Sequence, residues 1–212
     1  MTAIRDDQRS QWIAHYSDAA GREQRPSAFV AACLPRLLPL STVLELGCGR
    51  GVDAQEIARA GHTVIATDFV PAVIASNRRR YAHLSNLTFE EMRIDEPYRF
   101  ADRTFDAVYA HLTLHYYTHD ITTRVFREIH RVLKPGGWLM FACKSPGDPE
   151  WGLGVEIEPD MFDLNGKIRH FFTEDYAKQL LDDDFGEVEV ASHTGELYGV
   201  PSAWVTAIAR AG

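Results

Sequence analysis

The sequence is poor in cysteine and has no long apolar run. Its 212 residues include three cysteines, Cys33, Cys48 and Cys143, which lie far apart and form no C-x-x-C pair. A disulfide framework or a zinc ribbon is therefore not expected. No window approaches the roughly 18 apolar residues of a membrane span, and residues 1–10 lack the apolar segment of a signal peptide. We therefore expect a cytoplasmic protein that does not bind membranes.

Positive charge is also in deficit. Lys and Arg number 22 against 30 Asp and Glu, which gives a formal net charge of -8. An acidic surface repels nucleic-acid phosphates, so no nucleic-acid partner is expected. The one basic cluster, Arg78 to Arg80, is interpreted as a solvated helix face. A hydrophobic content of 45% is ordinary for a globular domain.

Apolar segments typical of strands alternate with segments typical of helices. The strand-like segments are residues 42–46, 63–67, 87–94, 105–110 and 138–143. Helical patterns lie at 53–60, after Pro71 and at 121–133, and residues 8–38 also indicate helix, with breaks near Gly21 and Pro26. This alternation predicts an α/β fold whose parallel sheet is covered by helices on both faces.

The last third of the chain follows a different pattern. Residues 144–172 carry proline, glycine and acidic residues without clear periodicity, which predicts a long loop, with at most a short strand, of the kind that often forms a lid. A helix capped by Thr173 is expected to run to about residue 182. Alternating residues at 188–191 and 203–209 predict two antiparallel strands at the sheet edge.

A glycine loop follows the first strand and precedes a helix: Glu45-Leu46-Gly47-Cys48-Gly49-Arg50-Gly51. In open α/β sheets, ligands bind at such carboxyl ends of strands. Val52 stands where a dinucleotide motif needs its third glycine, and Glu45 would repel a pyrophosphate, so a nucleotide-dependent oxidoreductase is the less favoured alternative. Glu45 instead suits a ligand with a cationic amino acid portion. Asp68, at the end of the second strand, can accept hydrogen bonds from two ribose hydroxyls.

Four motifs, in this order, resemble those of the class I S-adenosylmethionine-dependent methyltransferases. They are the glycine loop, Asp68, Phe105-Asp106 and the segment from Arg127 to Gly137, which ends in Lys-Pro-Gly-Gly. Residues 169–173 and 198–203 are similar to stretches of small stand-alone members, among them relatives of the tellurite-resistance methyltransferases. The resemblance implies a Rossmann-like three-layer sandwich with a mostly parallel seven-stranded sheet and an antiparallel C-terminal strand. It also implies S-adenosylmethionine as the cofactor.

The resemblance further implies where the cofactor lies. The glycines would border its methionine portion, Asp68 its ribose and Phe69 its adenine. Family members usually have an aspartate at the end of the third strand that binds the adenine amino group, but here Arg93 or Ile94 occupies that place, with Asp95 adjacent. Either Asp95 or the Ile94 backbone would then make this contact. The full set of expected cofactor residues is Glu45, Gly47, Cys48, Gly49, Asp68, Phe69, Ile94, Asp95 and His111.

The acceptor site is expected beyond the fourth strand. Transfer of a methyl group from a sulfonium is an in-line displacement, so the protein mainly orients the acceptor and need not supply a base. The candidate residues at the acceptor site are Tyr16, His111, His115, Arg169 and His170. The histidines 111, 115 and 119 would share one face only on a continuous helix, where they could bind a metal. We expect a loop there instead, and no metal.

We expect a single methyltransferase domain over residues 1–212. It would comprise a helical cap (1–40), a cofactor-binding core (42–145), a lid or acceptor loop (146–172) and a C-terminal helix with antiparallel strands (173–212). The expected function is S-adenosylmethionine-dependent methylation of a small molecule by a monomer or homodimer. Two alternatives stay open: a protein methyltransferase, and a non-catalytic S-adenosylmethionine-binding protein.

Overall fold

A computed structural model of the chain describes residues 6–18 and 25–212. The helices are α1 (Asp6–Asp18), α2 (Ala28–Cys33), α3 (Val52–Arg59), α4 (Pro71–Arg80), α5 (His119–Val132) and α6 (Glu174–Gln179). The strands are β1 (Thr42–Leu46), β2 (Thr63–Asp68), β3 (Leu87–Glu91), β4 (Phe105–His111), β5 (Leu133–Lys144), β6 (Val155–Glu158), β7 (Met161–Leu164), β8 (Lys167–His170), β9 (Phe185–Leu197) and β10 (Val200–Ala211). Short 3-10 turns span Leu34–Arg36 and Leu114–Tyr116.

Seven strands form one sheet in the order β3-β2-β1-β4-β5-β10-β9. The first five pair in parallel, whereas β10 pairs antiparallel with both of its neighbours. This confirms the predicted fold class. Strands β2 and β3 extend the sheet on one side of β1, whereas β4 and β5 extend it on the other. At such a topological switch point the loops after the two central strands diverge and leave a crevice.

Helices cover both faces of this sheet and produce three layers. On one face, Phe29 of α2, Ile57 of α3 and Ile74 of α4 belong to an apolar cluster with the inward residues of the parallel strands. On the other face, α5 contributes Ile121, Val125 and Ile129, whose period of four residues places them along one side of the helix. None of the helices in the described part of the chain is long and apolar enough to span a membrane.

The prediction of a long loop with at most one short strand at residues 144–172 was wrong. Strands β6, β7 and β8 form a separate antiparallel sheet there. Each strand has only four residues, which is too short for a clear alternating pattern. The turn between β7 and β8 is Asn165-Gly166, with φ of 55° and 82°. Asn-Gly with two positive φ angles is the favoured two-residue hairpin turn, so this dipeptide was a usable signal.

Several element boundaries also differ from the prediction. Strand β3 ends at Glu91 rather than 94. Strand β5 begins at Leu133, which pairs with Phe105 of β4, so the Lys-Pro-Gly-Gly segment lies inside the strand rather than before it. Helix α6 stops at Gln179, although the predicted Thr173 cap is confirmed because its hydroxyl accepts a hydrogen bond from the Tyr176 amide at 3.0 Å. Strands β9 and β10 are far longer than expected, since they form one continuous hairpin.

Candidate cofactor and acceptor site

The glycine loop turns sharply at the carboxyl end of β1. Gly49 and Gly51 have φ of 49° and 72°, in the left-handed region that favours glycine. A Cβ on Gly49 would lie 2.6 Å from the Tyr16 hydroxyl oxygen, and one on Gly51 would lie 2.7 Å from Cε1 of Phe89. The loop therefore needs glycine both for its backbone angles and for the close approach of aromatic side chains.

Asp68 anchors this loop to the end of β2. One carboxylate oxygen accepts the Gly49 amide at 3.0 Å and the other accepts the Val70 amide, also at 3.0 Å. The residue is buried, and burial raises its pKa, whereas the amides of Val70 and Gly49 oppose that rise. Because a carboxylate has about four acceptor positions, both oxygens keep lone pairs that can face the cavity.

Glu45 is a buried carboxylate with an open acceptor. It is 3% exposed, and its Oε2 has no hydrogen-bond partner among the described residues. Burial raises its pKa well above the usual value, and the charges of Asp53 and Asp68 add to the rise. A buried carboxylate without a partner is costly, so the arrangement fits a ligand that brings a cation to this point.

These groups line one cavity at the carboxyl ends of β1, β2 and β4. Its volume is about 1340 Å³. Sites for one drug-sized ligand have roughly 300–1,000 Å³, so the cavity has room for a cofactor and a second small molecule. Eight of the nine residues expected at the cofactor lie on its wall: Glu45, Gly47, Cys48, Gly49, Asp68, Phe69, Ile94 and His111.

Asp95 is the ninth, and the structure does not place it on that wall. Its carboxylate forms an ion pair with Arg93 at 2.8 Å. Strand β3 ends before these residues, and the turn that follows directs Met92 and Ile94 into the cavity. Of the two alternatives for the adenine contact, the geometry is therefore compatible with Ile94 rather than with the Asp95 side chain.

Tyr16 and His111 are the acceptor-site candidates nearest the glycine loop, and both line the cavity. Tyr16 extends from α1 to cover Gly49. Burial raises its pKa well above the usual value, and the Asp68 charge adds to this, so its hydroxyl stays protonated. The Nδ1 of His111 lies 3.1 Å from the hydroxyl oxygen of Tyr198 and 3.8 Å from Oδ2 of Asp53. Burial lowers the pKa of His111, against the pull of Asp53, and favours the neutral ring.

Asp53 organises the wall beneath His111, and the sequence analysis did not single it out. Its Oδ2 accepts hydrogen bonds from the Tyr109 hydroxyl at 2.7 Å and the Ser27 hydroxyl at 2.8 Å, while Oδ1 accepts the Ser27 amide at 2.7 Å. The rings of Phe29, Tyr109 and His111 stack on one another. Nothing local marks these partners, because they come from three distant segments.

His115 and His170 are not brought to the cavity. His115 is 1% exposed and packs against Tyr116, whose ring forms the wall instead. Neither ring nitrogen of His115 has a hydrogen-bond partner in the described part of the chain. Burial lowers its pKa far below the usual value, and the nearby cation Arg169 adds to this. His170 lies on the face of β8 opposite Arg169, because successive residues of a strand alternate.

His170 therefore points into the protein, whereas Arg169 lines the cavity. The His170 ring packs against Tyr176 of α6, with 4.4 Å between the ring centroids and an angle of 50° between the ring planes. Burial lowers its pKa to about 4. The sequence analysis gave Arg169 and His170 the same role because it did not recognise β8. Only the strand shows that the two side chains point in opposite directions.

The three histidines considered for a metal lie on different elements. His111 ends β4, His115 is in the 3-10 turn and His119 begins α5. The continuous helix on which a shared face depended is not formed. Within residues 6–18 and 25–212, no group of three or more His, Cys, Asp or Glu side chains is arranged to hold a metal ion.

Comparison with known proteins gives the family. A sequence profile described as "Methyltransferase domain" matches residues 43–137. The arsenite methyltransferase of Halobacterium salinarum is 32% identical over 78% of this chain and 41% of that protein. Phosphoethanolamine N-methyltransferase 1 of Triticum aestivum is 31% identical over 62% of this chain and 29% of that protein. The chain thus spans less than half the length of these curated relatives.

A solved structure shares the fold over the whole chain. The 1,6-didemethyltoxoflavin-N1-methyltransferase of Burkholderia thailandensis, crystallised with 1,6-didemethyltoxoflavin and S-adenosylhomocysteine, superposes with a TM-score of 0.74. The two are 21% identical, and the match covers 100% of this chain and 91% of that chain. Since the sequence match and the shared fold agree, the chain belongs to the class I S-adenosylmethionine-dependent methyltransferases, a family of enzymes whose cofactor is S-adenosylmethionine.

Proposed function

We propose that this protein transfers a methyl group from S-adenosylmethionine to a small molecule. The observation that carries the proposal is the cavity of about 1340 Å³, which joins the glycine loop to a wall of aromatic and basic side chains. A cofactor and an acceptor that share one cavity can be aligned for in-line displacement.

In this proposal the cofactor occupies the half of the cavity nearest β1 and β2. Glu45 receives the ammonium group, which would satisfy its open oxygen. Asp68 holds the ribose hydroxyls while it continues to accept the Gly49 and Val70 amides. Ile94 borders the adenine. S-adenosylmethionine, when bound, supplies the electrophilic methyl group.

The cover over the cavity supports a small acceptor rather than a side chain of another protein. Helix α1 crosses the opening, where Gln8 Nε2 donates to the Tyr116 carbonyl at 3.3 Å and Gln11 Nε2 donates to the Asn165 carbonyl at 2.7 Å. On the other side, Tyr198 at the tip of the β9–β10 hairpin reaches His111. A folded protein would have to displace this cover, whereas a small molecule needs only a brief opening.

His111 is the group best placed to receive a proton if the acceptor must lose one. It lies on the cavity wall, its ring is kept neutral by burial, which lowers its pKa, and its Nδ1 is within hydrogen-bonding distance of Tyr198. Asp53, 3.8 Å from the same nitrogen, would stabilise the imidazolium that forms. We assign the proton-accepting role to His111 and a positioning role to Asp53.

We also propose a division of labour along the chain. Residues 42–145 provide the cofactor half, and the β6–β8 sheet within residues 146–172 provides an acceptor wall. We expect residues 1–40 to cover the cavity and residues 173–212 to complete the sheet. We propose a monomer or homodimer without a nucleic-acid partner, in keeping with the net charge of -8.

The first test is calorimetric titration with S-adenosylmethionine and S-adenosylhomocysteine, with Glu45→Gln and Asp182→Asn as variants. We expect binding of both ligands by the wild type, weaker binding of S-adenosylmethionine by Glu45→Gln, and no change in Asp182→Asn, because Asp182 is exposed and outside the cavity. An acceptor screen that follows S-adenosylhomocysteine release then tests turnover. A folded sample that binds neither ligand would refute the proposal, and binding without turnover would favour the non-catalytic alternative.

A further inference from the structure

Three cations line the acceptor half of the cavity: Lys144 at the end of β5, and Lys167 and Arg169 on β8. We call them the basic wall. Lys167 and Arg169 are two residues apart on one strand, so both side chains project from the same face. The chain as a whole carries excess negative charge, with a net charge of -8. The basic wall therefore brings together three side chains of the sign that the chain as a whole has least of.

Aromatic rings hold two of these cations in place without neutralising them. The Lys167 ammonium lies 4.4 Å from the centroid of the Trp12 ring and 5.3 Å from that of Tyr116. The Arg169 guanidinium lies 5.7 Å from the centroid of the same Tyr116 ring. Such contacts attract a cation through the ring quadrupole but leave its charge in the site. The cavity thus holds two cations on an aromatic support.

The carboxylates nearby do not cancel the whole basic wall. Lys144 is neutralised, because its Nζ lies 2.5 Å from Oδ2 of the buried Asp148. Arg169 pairs with Glu150, whose side chain is 51% exposed and therefore partly solvated. Among the side chains that the structure describes, no carboxylate forms an ion pair with Lys167. One positive charge is left in excess.

Arg169 also has a hydrogen-bond donor that is not paired within the described residues. This donor is its buried Nε. A buried donor without an acceptor is costly, and more so when it is charged. His115, which packs behind Tyr116, adds no charge, because burial and the neighbouring cations lower its pKa and keep its ring neutral. The uncompensated groups at this wall are thus one ammonium and one guanidinium N–H.

We infer that the acceptor carries an anionic group, a carboxylate or a phosphate-like oxyanion, which binds between Lys167 and Arg169 and against Tyr116. This inference rests on the proposed function and names its substrate class. The guanidinium offers the forked donors that match a carboxylate or phosphate, and Lys167 supplies the balancing charge. The aromatic support suits a flat or apolar body attached to the anion. Lys144 and Asp148 complete the wall as a neutral pair.

The test uses protein saturated with S-adenosylhomocysteine and compares matched probes by calorimetry: benzoate, phenyl phosphate, inorganic phosphate and the neutral benzamide. We expect at least one anion to bind about 10-fold tighter than benzamide, as one charge-assisted hydrogen bond would give. A preference for benzoate over phenyl phosphate, or the reverse, identifies the kind of anion. Equal or tighter binding of benzamide, or no binding by any of the anions, would overturn the inference.

Variants show whether the basic wall causes the preference. Lys167→Met and Arg169→Met should each lower anion affinity about 10-fold and leave benzamide affinity unchanged. Lys178→Met is the matched control, because Lys178 is exposed on α6 and pairs with Glu174 outside the cavity. An anion preference retained in both wall variants would also overturn the inference. Failure of the wild type to bind S-adenosylhomocysteine is a separate result and counts against the proposed function instead.

Discussion

Replacing Asp68 with asparagine tests the cofactor half of the site most directly. The carboxylate now accepts two backbone amides, those of Gly49 and Val70, each at 3.0 Å. An asparagine has only one oxygen, so it can keep one of these hydrogen bonds. Its NH2 group must then face the other amide, donor against donor. The change is nearly isosteric, and its effects therefore come from hydrogen bonding rather than from lost volume.

Two costs follow, and they act on different quantities. Leaving one buried amide unpaired costs about 1–3 kcal/mol of folding free energy. Removing a charged acceptor from a ribose hydroxyl costs about 1.5–3 kcal/mol of binding free energy. At about 1.4 kcal/mol for each factor of ten, the second cost corresponds to a loss of about 10- to 150-fold in affinity for S-adenosylhomocysteine. The variant should therefore be both less stable and much weaker in binding.

Calorimetry measures the affinity, and urea denaturation without ligand measures the stability. Asp182→Asn makes the same chemical change at an exposed site outside the cavity and serves as the control. The decisive comparison is between the two measurements on Asp68→Asn. If its stability falls but its affinity does not, Asp68 only anchors the glycine loop, and the assignment to the ribose is refuted.

Three further changes test other parts of the structure. Gly51→Ala places a Cβ at a φ of 72° and 2.7 Å from Phe89. Urea denaturation should therefore show that the free energy of unfolding falls by at least about 1–2 kcal/mol. An unchanged denaturation midpoint would contradict the glycine-loop geometry. Lys144→Met strands the buried carboxylate of Asp148, which should cost about 3–5 kcal/mol, and a neutral result would show that the pair is not buried in solution. Burial lowers the pKa of His170 from 6.5 to about 4, so the unfolded chain binds an extra proton between these values and stability falls as the pH falls through that window, by at most about 3 kcal/mol. His170→Phe should flatten that slope by close to one proton, and an unaltered pH profile would refute the assignment.

The proposed cofactor half of the cavity was predictable because its signals are local. A strand, a glycine turn, a helix and a second strand ending in Asp68 occupy residues 42–68, and each element has its own pattern in the sequence. The hydrogen bond from the Gly49 amide to Asp68 follows once β1 and β2 pair in parallel. Short-range patterning and a known sheet geometry are sufficient to bring these groups together.

The proposed adenine contact and the proposed acceptor half depend on strand positions that the apolar patterning does not give. A difference of three residues in the end of β3 decides whether Ile94 or Asp95 faces the cavity. In the same way, the face of β8 decides that Arg169 and not His170 lines the acceptor wall. Because strand residues alternate, an error of one residue in register reverses such an assignment. Only the Asn165-Gly166 turn could have located β8 in advance.

The two halves of the cavity are therefore built on two different sheets. The groups at the glycine loop lie at strand ends of the seven-stranded sheet, whereas Lys167 and Arg169 belong to the three-stranded sheet. That small sheet is joined to β5 through the Phe172 amide, which donates to the Lys144 carbonyl at 2.7 Å, rather than through a shared ladder. A substitution at Lys167 or Arg169 can consequently alter the acceptor wall without moving Asp68. If the two halves are independent in this way, variants of the basic wall should change acceptor binding while S-adenosylhomocysteine affinity stays at its wild-type value.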